Sequence, residues 1–205
     1  MDLLSRKIEL YETLEGKTSK WLNAWARVIV IILLVFSVLG LFTSLSAISA
    51  MFSDVFTAIS FLISLVNLAL LIVAVANGKK ANDKAYFSFI LIGALSILTS
   101  LIDLISAIVF TSGISAEEFA SQQVEALGTD AGIAGDFLSS LLSMTYEIML
   151  PSAIMTFVVT LVLWGLHILY MKKRKAIFFK TVEELEEEAG VSQGDEPQPY
   201  INPEG

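Results

Sequence analysis

Asn67, Asp103 and His167 stand within apolar sequence, where residues of their types carry a cost. Hydrocarbon tolerates such side chains when they bind an ion, relay a proton or bond a neighbouring helix. Asp103 supplies a carboxylate that can hold a cation. His167 supplies an imidazole that can gain and lose a proton near neutral pH, and Asn67 an amide able to bond either. Counting along the apolar runs puts Asp54 at the same level as Asp103. If the two converge, their like charges would bind a cation or keep one proton between them. His167 falls toward the other end, so a direct carboxylate–imidazole pair is not expected. These four residues outline a path for a cation or proton. The plainer reading is that Asp103 cross-links helices, Asn67 bonds Ser and Thr neighbours, and His167 sits at headgroup level.

Other chemistry has less support in the residues. The chain has no cysteine and one histidine, which removes thiol nucleophiles, thiolate metal sites and multi-histidine centres. Neither G-x-S-x-G, H-E-x-x-H nor a Walker loop is present. Asp54, Asp103, Asp136 and Glu147 are scattered rather than paired on one helix, so an enzyme is not expected, nor a cofactor or resident metal. Lys172, Lys173, Arg174 and Lys175, followed by Ile177, Phe178, Phe179 and Lys180, make a basic and aromatic patch. Such a patch attracts anionic lipid headgroups by about 1 kcal/mol per charge. It also serves as an ordinary stop-transfer flank.

The elements that must position these residues follow from composition. Of 205 residues, 55% are hydrophobic and 17% charged, with mean hydropathy +0.73. A soluble domain averages about 25% charged residues, and a disordered chain is far less apolar. Apolar stretches cover 28–50, 55–76, 85–110 and 148–171. Each is long enough to cross about 30 Å of hydrocarbon as a helix, and none shows the alternation of a barrel strand. The first is too long for a signal peptide and follows a basic, tryptophan-bearing leader, as an uncleaved anchor would. The expected fold is all-α: a polytopic four-transmembrane-helix bundle.

The thirteen Lys and Arg residues precede the first stretch, separate the second from the third, or follow the fourth. By the positive-inside rule both termini are cytoplasmic. Between Thr111 and Glu147 the charges are acidic throughout, which accounts for much of the net charge of -8 without a nucleic-acid partner. The expected plan is then a cytoplasmic amphipathic helix over 1–21, three spans over 22–110, a partly helical acidic extracytoplasmic segment over 111–147, a fourth span over 148–171, and a juxtamembrane patch, short acidic helix and flexible tail over 172–205. The N-terminal helix either lies on the membrane or packs on the protein's own cytoplasmic loops, with Gly16 as its stop. In the acidic segment Ser115 and Glu118 form a capping box for a helix over 116–127. Gly128, Gly132 and Gly135 make a connector, and Asp136 caps a second helix that lies along the leaflet or runs into the fourth span, where Pro151 invites a kink. Thr181 and Glu184 form a capping box for 182–189.

Small and polar residues recur every three or four positions on all four spans. Examples are Ser60, Ser64 and Asn67 on the second, Gly93, Ser96, Ser100 and Asp103 on the third, and Thr156, Thr160 and His167 on the fourth. This spacing keeps one face turned inward, and membrane helices associate through such residues because leucine gains little over lipid. The expected function is a non-catalytic accessory or scaffolding subunit that joins other membrane proteins, or a second copy, through these faces. The alternative is a small oligomeric cation or proton channel or transporter using Asp103, Asn67 and His167. Tetraspanins share the topological plan, but their cysteine motif is impossible here and the residues assign no family.

Overall fold

A computed structural model of the chain describes residues 2–46, 55–126 and 133–190, and every regular element in them is helical. Four helices are long and apolar enough to cross a membrane, as expected where a backbone must satisfy its hydrogen bonds without water.

Helix α1 (Leu3–Glu15) opens on Asp2, whose carboxylate accepts from the Ser5 amide at 3.0 Å, and closes on Gly16 at φ 64. Its apolar face, with Leu4, Ile8 and Tyr11, is buried against the C-terminal helices rather than left bare. Of the two readings of this helix, the structure takes packing on the protein's own elements. Lys7, which interrupts that face, is 7% exposed and donates to the Ala81 carbonyl at 3.2 Å. Burial pushes its ammonium below the ordinary lysine value.

The first long helical segment starts at Lys20, well before residue 28. Helix α2 (Lys20–Ala24) passes through a π-helical turn (Trp25–Ile29) into α3 (Val30–Ser46). Helix α4 covers Val55–Gly78, and α5 covers Asp83–Gly113 behind an Asn82 cap that accepts from the Ala85 amide. Helix α6 is Ala116–Ala126, with Ser115 Oγ accepting from the Glu118 amide at 3.1 Å. Helix α7 is a single element, Ile133–Lys173. Asp136 therefore lies in its first turn and caps no separate helix, and Pro151 sits inside it without ending it. At 1.5 Å per residue its 41 residues extend about 62 Å, twice a hydrocarbon core. Of the two courses open to the helix after Asp136, the structure takes the one that runs into the fourth span, with Pro151 inside it. Helices α8 (Lys175–Phe179) and α9 (Val182–Glu188) finish the described chain, α9 with the reciprocal Thr181–Glu184 capping box. Asp54, the glycines 128 and 132, and the tail from 191 onward lie outside the described residues.

Helix α3 packs on α4, α4 on α5, and α5 on α7. The main core gathers at the basic end, where Leu22, Trp25, Leu71, Phe89, Ile92, Met171 and Phe178 join the buried face of α1.

Candidate functional site

Two cavities lie on either side of one residue, Trp164, which lines both. Gly93 positions it: a Cβ there would stand 3.1 Å from Trp164 Cε3 and 3.2 Å from Ile168 Cγ1, so its hydrogen lets α7 close on α5.

The first cavity, about 260 Å³, lies among α4, α5 and α7 and is polar, with Ser64, Asn67, Ser96, Ser100, Asp103 and Thr160 in its walls. The small-residue spacing brings these residues together. Their hydroxyls mostly turn to their own helices, however: Ser64 donates to the Ser60 carbonyl at 2.8 Å, Ser96 to Ile92 at 2.8 Å and Ser100 to Ile97 at 2.9 Å. A helix carbonyl one turn back is always within reach of Ser or Thr, whereas a partner across the gap must be placed by packing. One bond does cross: Ser60 Oγ donates to Asp103 Oδ1 at 3.5 Å. The Asn67 side-chain oxygen is buried without a partner, so the amide does not bond Ser or Thr neighbours through it.

The second cavity, about 490 Å³, is almost wholly apolar and opens between the start of the first span and the end of the last. Trp21, Trp25 and Leu33 form one wall, Trp164, His167 and Tyr170 the other. His167 packs 4.1 Å from the Trp25 ring centroid and 5.5 Å from that of Trp164, while Trp25 meets Trp164 edge-on at 5.4 Å. The π turn is where this geometry starts, because the Val30 amide reaches back to the Trp25 carbonyl and adds a residue to the turn. At the mouth, Tyr170 Oη accepts from the Leu22 amide at 3.2 Å.

The structure therefore joins Asn67 with Asp103 and sets His167 apart, behind Trp164. The basic patch is divided too. Lys172, Lys173 and Lys175 are exposed. Arg174 instead stacks over Tyr170, 3.7 Å from its centroid, and donates to Ser19 Oγ at 3.0 Å and the Thr18 carbonyl at 2.7 Å. Ile177 and Phe178 face the core, Phe178 against Tyr86 and Phe89. In the sequence Trp21 and Trp25 stand out only as part of a basic leader, with no role assigned beside His167. The signal for that pairing was the matching distance of Trp25 and His167 from the basic flanks of their spans. Among the described residues no three His, Asp or Glu side chains gather as a metal site. Compared with known protein families, curated proteins and solved structures, the chain matches none.

Proposed function

We propose that the protein is a non-catalytic subunit of a larger membrane assembly: a four-helix bundle, both termini cytoplasmic, that joins other membrane proteins through its helix faces. The observation that carries this reading is Asp103. It is an exposed carboxylate within a membrane-length helix, held by a 3.5 Å bond from Ser60. Lipid does not solvate such a group, and a neighbouring chain would. Free surface for that neighbour is ample, since only 6% of the most apolar window of α7 is buried within the chain. The clustering of Lys and Arg at one end of the helices supports the orientation. Purification of the tagged protein from native membranes in mild detergent, with mass determination and identification of co-purifying chains, tests the proposal. A stoichiometric partner is expected. A partnerless monomer that moves a solute after reconstitution would refute it.

A second reading, a cation or proton path, draws on the cavity shared by Asn67 and Asp103. In liposomes, Asp103→Asn should then lower cation or proton flux at least about tenfold, the effect of removing the one charge that binds the ion. Unchanged flux would sink that role.

A further inference from the structure

A further cavity, about 390 Å³, lies at the basic end, among α1, the turn that joins α4 to α5, and the joint between α8 and α9. Three lysines from distant parts of the sequence line it: Lys7, Lys80 and Lys180. Lys7 is only 7% exposed, and of the three N–H donors on its ammonium one is used, by the Ala81 carbonyl at 3.2 Å. It forms no ion pair among the described residues. Glu183 and Glu184 favour its charge through space without pairing with it, and burial outweighs them. A buried charge is costly unless an opposite charge meets it, so the wall of this cavity is short of negative charge.

Lys80 is exposed on the turn and also forms no ion pair among the described residues. Lys180 is paired with Glu188, but the two side chains are 38% and 49% exposed, and a pair so exposed is weak enough to open for a stronger anion. Thr181 Oγ1 accepts from the Glu184 amide, which leaves its hydroxyl proton to donate. One carboxylate, Asp83, lines the same cavity and accepts from the Lys84 amide. The three lysines outweigh it. A phosphate monoester carries about −1.5 to −2 charges near neutral pH, which matches the two lysines that lack partners. The apolar side of the cavity is Phe179, 44% exposed and edge-on to Phe87 at 6.0 Å, and Phe87 is 53% exposed on its span. The cavity therefore adjoins the lipid at headgroup level.

We propose that this cavity binds a phosphate monoester, held by the charges of Lys7 and Lys80 and by the Thr181 hydroxyl, with its organic part along Phe179 and Phe87. The phosphate is carried by a lipid or by a soluble compound, and one headgroup with and without acyl chains separates the two sources. The site uses none of the helix faces that the assembly reading needs and stands with or without a partner chain.

The full chain in maltoside micelles is titrated against phosphatidic acid and, separately, phosphatidylcholine, each with a fluorescent acyl chain, and binding is read as anisotropy. Phosphatidic acid is expected to bind at least about tenfold more tightly. Lys80→Gln should weaken its binding about fivefold, and Lys7→Met, which keeps the length of the side chain without its charge, by at least as much. Lys172→Gln combined with Lys173→Gln removes two exposed charges at the same end but outside the cavity, and should leave binding unchanged. Displacement by millimolar glycerol 3-phosphate would assign the site to a soluble phosphate monoester, and resistance to it to the lipid. Equal binding of the two lipids would overturn the proposal. So would a preference that survives Lys80→Gln, or one lost with Lys172→Gln and Lys173→Gln, which would show a general pull of the basic end in place of a site. Circular dichroism and limited proteolysis of α1 check that Lys7→Met folds, and Lys80→Gln decides the matter where it does not.

Discussion

The two ends of the long helices are closed in different ways. At the basic end, residues far apart in sequence lock together: Tyr11 Oη donates to the Lys173 carbonyl at 2.8 Å, Arg6 meets Glu186 at 2.8 Å, and Arg174 reaches Ser19. Beneath these bonds lies a core of rings and aliphatic side chains drawn from α1, α2, α4, α5, α7 and α8. At the acidic end, α6 is held on α7 largely by three rings, Phe110, Phe119 and Tyr146, with centroids 5.6 to 6.1 Å apart. Tyr146 Oη donates to the carbonyls of Thr111 and Ile114, groups freed where α5 ends. The difference follows from solvent. Where helices meet water, burying apolar surface is favourable and a broad core forms. Along the spans lipid removes that drive, and side-chain hydroxyls settle on their own helices.

Breaking the basic end should have the largest effect. Phe178 is 3% exposed among Tyr86 and Phe89. Phe178→Ala should therefore cost about 3–5 kcal/mol. Limited proteolysis should release α1 and α9 while circular dichroism keeps most of its helical signal. If the spans unfolded together with the cap, the two regions would be one cooperative unit and the contrast would fail. The acidic end should yield less. Tyr146→Phe keeps the ring cluster and removes the hydroxyl, for about 0.5–1.5 kcal/mol. Faster amide exchange in α6, with α1 unchanged, is the expected readout. The smallest effect is a pH dependence at the basic end. The Ser5 amide, aided by Arg27 at 2.6 Å, holds the Asp2 carboxyl below its ordinary value of 3.8. A carboxylate with a lowered folded pKa stabilises the fold above its unfolded value and loses that contribution as pH falls through the folded one. The cap should thus loosen slightly below about pH 3.8, and Asp2→Asn should remove this step from the thermal-stability profile.

Legibility differed by element for physical reasons. The cap signals of α1, α6 and α9 were readable because a cap is satisfied within four residues of chain. The continuity of α7 was legible only as one of two courses for the helix after Asp136, since Asp136 and Pro151 both resemble boundary residues. The three-and-four spacing turned Asn67 and Asp103 inward on their helices, but that they share one cavity is set by packing. The division that puts His167 behind Trp164 was not readable either, because it depends on the rotation of α7 against α5 at Gly93.

By itself, then, the sequence determined four apolar runs of membrane length and the segregation of charge between their ends. Both are properties of residue type along a line, and hydrocarbon thickness converts the first directly into helices. Only tertiary structure decided that α1 packs on α8 and α9, that Phe178 turns inward while Lys175 stays out, and that Trp25 and His167 meet across the first and last spans. Those outcomes depend on which helix faces come together, and that choice is made by shape and close packing between segments more than a hundred residues apart in the chain.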